Sequence, residues 1–213
     1  MKGVLTGDII NSRKLPNTES WLLPLKEELQ RWGDSPGTWE IFRGDSFQLL
    51  LDKPEDTLKA ALLIKAVMKS TEPVSNRHHS PVDVRIAIGI GAHSYSNEKV
   101  VENNGEAFIF SGELIDEIKK DKRTLAIRTP WEEQNKDLNL IFQLLSIPAD
   151  NWTVSSAQMM KILLETPQIK QKEIGNQLGI QQNTVNYGLK RAHADIVVQT
   201  ELLFREKLLK LCQ

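Results

Sequence analysis

The spacing of hydrophobic positions changes several times along this chain, and each change predicts an element. Val4–Ile10 reads as a short apolar strand, interrupted by Gly7 and Asp8 near its end. Asn11-Ser12-Arg13-Lys14 follows as a polar turn, with extended backbone expected just before Pro16. Trp21, Leu22, Leu25, Leu29 and Trp32 recur at helical spacing and predict an amphipathic helix from about Thr18 to Trp32. Trp39–Phe42 and Phe47–Leu51 predict two strands around a tight Arg43-Gly44-Asp45-Ser46 hairpin. Pro54 opens a helix carrying Leu58, Ala61, Leu62, Ile64, Ala66 and Val67, and Thr71–Pro81, with His78-His79, reads as a solvated loop. Val82–Ile90 sets Val82, Val84, Ile86, Ile88 and Ile90 against Asp83, Arg85, Ala87 and Gly89, a strand. A polar excursion over His93–Asn104, a helix over about Glu106–Lys120 and a strand at Thr124–Ile127 complete this half.

The order β-α-β-β-α-β, with an added helix and strand, predicts an α+β fold. Its expected core is a ferredoxin-like antiparallel sheet with helices on one face. Beyond it the period stays helical. Trp131–Pro148 reads as a connecting helix, followed by a helix from about Ser155 to Leu164 and a last amphipathic helix over Ile196–Leu211. The expected organisation is a sheet domain over 1–128, a connecting helix over 129–152, and an all-α domain over 153–213.

Within that last domain, Gln171–Arg191 has the pattern of a helix-turn-helix. Ile174 and Leu178 share a face, Gly179 ends the first helix, and Ile180 packs into the turn. Asn183 or Thr184 is the expected start of a second helix with Val185 and Leu189 inward. That second helix offers Gln181, Gln182, Asn183, Thr184 and Asn186, most of them able to donate and accept at base edges. Lys190 and Arg191 close it, placed to meet phosphate, and no acidic residue lies between Gln181 and Arg191. Gln182 and Asn186, at i and i+4, are the expected base readers. Gly188 departs from the pattern, standing where a large aliphatic residue would anchor the helix.

Composition narrows the partners. With 213 residues there is room for two cores, and 40% hydrophobic with 26% charged residues is ordinary for a globular chain. A net charge of −1 argues against a general nucleic-acid coat, but basic residues outnumber acidic ones after Thr153. Double-stranded DNA is the expected partner of that end, bound by a homodimer; the terminal helix is placed either to form that dimer or to pack on its own domain. No apolar run approaches the length of a membrane span, and the single cysteine, Cys212, excludes an internal disulfide. A cytoplasmic location with no membrane partner is the expectation.

Asp8 ends the first strand and Asp45 sits in the hairpin, so in the expected sheet both carboxylates reach one edge. A divalent cation relieves the repulsion of such a pair, and Asn11, Ser12 and Arg13 would face phosphates. Turn chemistry explains either aspartate alone. Leu5-Thr6-Gly7-Asp8-Ile9 with Arg43-Gly44-Asp45, followed by Val84–Gly91 and Gly105-Glu106-Ala107, resembles the palm-type catalytic domain of class III nucleotide cyclases and their diguanylate cyclase relatives. With the trailing helix-turn-helix, nearly the whole chain is similar to small bacterial SatD-like proteins. The resemblance implies that Asp8, Asp45 and the carbonyl of Ile9 ligate Mg2+ or Mn2+. It also implies that Asn11, Ser12, Arg13, Arg43 and Gly44 border a nucleotide.

The residues similarity would make catalytic are absent. Ile41 stands for a purine-selecting lysine, Ile109 and Glu113 for an asparagine and an arginine, and Ser46 breaks the acidic pair after Asp45. No catalytic residue is assigned. The expectation is a DNA-binding transcriptional regulator with a degenerate cyclase-like domain that binds nucleotide and metal. The alternatives are an active nucleotidyl cyclase or polymerase-type enzyme localised by its DNA-binding domain, and a protein-interaction module.

Overall fold

A computed structural model gives the fold and describes residues 1–14, 17–71, 82–95, 99–102 and 104–212. The backbone expected around Pro16, and the loop at 71–81 apart from Thr71, lie outside the described residues. Lys2–Ile10 (β1), Trp39–Phe42 (β2), Ser46–Leu51 (β3), Asp83–Gly91 (β4) and Leu125–Arg128 (β7) form one five-stranded sheet of order β2-β3-β1-β4-β7. The first four strands are antiparallel, and β7 adds parallel to β4.

Helices cover both faces of this sheet rather than the single face expected. Glu19–Gln30 (α1) and Thr57–Lys69 (α2) pack with Leu5, Ile9, Phe47, Ile86 and Ile88 in the main core. Glu106–Lys120 (α3) lies on the other side, against Ala87 and Ala126 through Leu114 and Ile118. The reason is in β4. A Cβ at Gly89 would lie 2.0 Å from the Ala107 carbonyl oxygen, and one at Gly91 2.8 Å from the Ala107 nitrogen. Ala87, Gly89 and Gly91 are thus the small seats of a second helix, not an outward polar row. The excursion after β4 also carries structure: His93–Tyr95 (β5) pairs with Asn104–Gly105 (β6).

Five helices follow: Glu132–Asp150 (α4), Val154–Glu165 (α5), Gln171–Leu178 (α6), Gln182–Arg191 (α7) and Ala194–Leu211 (α8). Their core is continuous with that of α1 and α2, since Phe142, Met160, Val185 and Phe204 belong to the same buried cluster as Leu5 and Leu62. Phe142 and Phe204 meet with ring centroids 5.7 Å apart, so α4 packs on α8. Helix α2 is buried along nearly its whole length. Lys65 and Lys69 of α2 are buried too, held by Asp83 at the start of β4 and by Asp150 at the end of α4. No helix among the described residues is long and apolar enough to cross a membrane.

Candidate functional site

Thr153 and Ser156 close a reciprocal capping box at the start of α5, satisfying amides that a helix N-terminus leaves open. Helix α6 begins with the Glu173 carboxylate accepting the Lys170 amide at 3.0 Å. Gly179 ends it at φ 66°, the left-handed conformation that glycine adopts without strain. The Ile180 amide donates back to the Gly175 carbonyl at 2.9 Å, and a Cβ on Gly175 would stand 2.7 Å from the Ile180 oxygen. The turn closes this tightly because Gly175 has no side chain. Helix α7 starts at Gln182, one residue earlier than expected, with Gln181 as its N-cap.

Val185, Gly188 and Leu189 are the buried side of α7. Gln181, Gln182, Asn183, Thr184, Lys190 and Arg191 are all exposed, whereas Asn186 is half-buried. Asn186 lines a groove of about 340 Å³ beside the helix, with Leu163, Ile169, Ile174, Leu189 and Lys190. Gln182 and Asn186 share a flank, but the outermost ridge carries Asn183, Tyr187 and Lys190. Tyr187, 68% exposed, was not among the residues expected to read bases. The signal for it was available, since the phase set by Val185 and Leu189 already turns position 187 outward. Between Gly179 and His193 the chain has Lys190 and Arg191 and no acidic side chain, so this face is uniformly polar to cationic.

A second group lies at the end of β1. Asp8 stands opposite Ser46 on β3 and Arg85 on β4, and the Ile9 amide donates to the Asp45 carbonyl at 2.9 Å. The two aspartates therefore lie at one sheet edge. Their carboxylates are each engaged. Asp8 Oδ2 pairs with Arg85 Nη1 at 3.0 Å and with Lys119 Nζ at 3.7 Å, while Asp45 Oδ2 accepts from Ser12 Oγ at 2.9 Å. Arg43 and Gly44, both at positive φ, turn the hairpin beside Asp45, and Asn11 at φ 64° turns the chain after Ile10. Arg13 is exposed, and Ile9 is buried and pairs with Val84.

This arrangement does not fit a divalent cation. A guanidinium and an ammonium already neutralise Asp8 and would repel an incoming metal ion. Among the described residues no group of three or more His, Cys, Asp or Glu side chains is placed to hold one. Arg85 and Lys119 carry no motif, and only the register of β1 on β4 and the docking of α3 reveal them as partners of Asp8. Ile109 is half-exposed, and Glu113 accepts from Arg128 at 3.1 Å, so neither offers positive charge. No protein-family model matches the chain, and no curated protein matches it.

Proposed function

We propose that this chain is a transcriptional regulator that binds double-stranded DNA with α7 in the major groove. One observation carries the reading. A short helix, a left-handed glycine turn and a second helix bury Ile174, Val185 and Leu189, leaving outward a face with amides, Lys190 and Arg191 and no carboxylate. A helix with such a face offers base-edge donors and acceptors along its first turns and cations at its far end. On this reading the chain pairs as a homodimer on an inverted repeat, and Ile196, Leu203 and Leu209 on the outer side of α8 are 45–60% exposed for that contact.

For the N-terminal unit the proposal is a ferredoxin-like, cyclase-related palm that has kept an anion site without the catalytic set. Arg13 and Arg43 beside Ser12 and Asp45, with Arg85 and Lys119 around Asp8, suit the phosphates of a nucleotide better than a metal ion. Melting curves with a nucleoside triphosphate, with and without Mg2+, test this part. Stabilisation independent of Mg2+ and lost in Arg43→Ala is expected, and strict dependence on Mg2+ would restore the metal reading.

DNA binding is tested by anisotropy on a random duplex across a salt series. Lys190→Ala should lower affinity and reduce the salt slope by about one unit. An unchanged slope would remove α7 from the backbone contact.

A further inference from the structure

A single exposed aromatic ring on a protein surface needs no explanation by itself. Tyr187 is singled out by its place. Val185 and Leu189 point α7 inward, so the opposite ridge runs Asn183, Tyr187, Lys190 at i, i+4 and i+7. Tyr187 is the most exposed large hydrophobic side chain among the described residues. It has an exposed amide one turn before it and exposed Lys190 and Arg191 about one turn after it. Asn186, by contrast with Tyr187, is half-buried and lines the groove beside the helix, which Lys190 also borders.

When a helix enters the major groove, its outermost ridge goes deepest. The groove floor presents donors, acceptors and one apolar feature, the C5-methyl of thymine. We infer, on the premise that α7 reads DNA, that Tyr187 is a specificity-determining residue for a thymine. Its ring covers the C5-methyl, Asn183 bonds a neighbouring base edge, and Lys190 and Arg191 hold the phosphates that set the register. The chemistry is burial of an apolar methyl against an apolar ring, so the ring and not the hydroxyl carries the discrimination.

Selection from a random duplex library with the full chain supplies a preferred site. Each thymine in it is then replaced singly by deoxyuridine, which lacks only the methyl group, and binding is read by fluorescence anisotropy. At one position the wild type should lose about fourfold in affinity, the worth of one buried methyl group. Tyr187→Phe should keep that loss, and Tyr187→Ala should bind thymine and deoxyuridine equally. All three proteins should bind random duplex alike and melt alike, because the side chain is exposed. No sensitive position, or a Tyr187→Ala variant that still discriminates, overturns the inference while leaving DNA binding intact. Failure to bind any duplex overturns the DNA reading itself, and this inference with it.

Discussion

A Cβ on Gly188 would lie 2.4 Å from Met159 Sδ and 2.8 Å from its Cε. The large aliphatic anchor expected on α7 is thus supplied from α5, and glycine makes room for it. Gly188→Leu should overpack this contact and cost about 1–3 kcal/mol in urea melts. Truncating Met159 in the same chain should recover part of the loss, which a double-mutant cycle would read directly. A second residue-scale tension sits on α1. Glu28 is only 2% exposed, its Oε1 accepts from Trp32 Nε1 at 3.3 Å, and its Oε2, 3.6 Å from Arg31 Nη1, has no hydrogen-bond partner among the described residues. Burial pushes this carboxyl above its ordinary pKa, and Arg31 offsets part of that. The folded state therefore holds the proton more tightly than the unfolded chain. Stability from this group is full below the ordinary carboxyl pKa and is lost as pH rises through the folded value. Glu28→Gln should gain stability over the wild type on going from pH 4 to pH 7.5, and an equal difference at both pH values would remove Glu28 as the cause.

At the scale of elements, α2 works as a buried strut between the sheet and the C-terminal helices. Lys65 Nζ lies 2.9 Å from Asp83 and 2.7 Å from Asp150, and Lys69 Nζ donates to the Asp150 carbonyl at 2.7 Å. Thr124 Oγ1 donates to the same Asp150 carboxylate at 2.7 Å. Burial opposes the charge on Lys65, yet Asp83 and Asp150 hold its pKa above the ordinary lysine range. Its contribution is therefore complete below the ordinary lysine pKa and is lost only as pH rises through the higher folded value. Lys65→Met would leave the Asp150 carboxylate without its lysine and Asp83 with Lys69 alone. The expected cost is about 3–5 kcal/mol at neutral pH by chemical denaturation. A loss below about 1 kcal/mol would show that water reaches the pair.

Across the whole molecule, one buried cluster runs from Leu5 in β1 to Leu208 in α8. Arg31, capping the end of α1, pairs with Glu165 of α5, and Arg205 of α8 reaches Asp56 ahead of α2 at 2.6 Å. Sheet and helices share a core and are pinned by charge at separate places, so unfolding should be a single event. Far-UV circular dichroism and tryptophan fluorescence should report coincident urea transitions. Trp21 and Trp39 report the sheet side, and Trp152, whose Nε1 donates to the Ala192 carbonyl at 3.2 Å, reports the helices. Two separated transitions would show that the halves unfold independently.

Local pattern determined a great deal of this protein. Period and turn chemistry placed the strands at Trp39–Phe42 and near Val82–Ile90, the helix at Glu106–Lys120, and the glycine-closed helix pair at Gln171–Arg191. These depend on neighbours three or four residues apart, which the chain states directly. The common edge of Asp8 and Asp45 was legible in another way, because the β-α-β-β-α-β order expected from the pattern sets the first strand beside the hairpin. What occupies those carboxylates was decided only by tertiary structure. Arg85 meets Asp8 because β4 pairs with β1 in one register, and Lys119 joins it because α3 docks on the far face. The same holds for Met159 filling the space left by Gly188, and for the groove that Asn186 shares with Leu163 and Ile169. Each is a contact between positions distant in sequence, or the side of a helix that such contacts cover, and periodicity within one element carries no information about its neighbour.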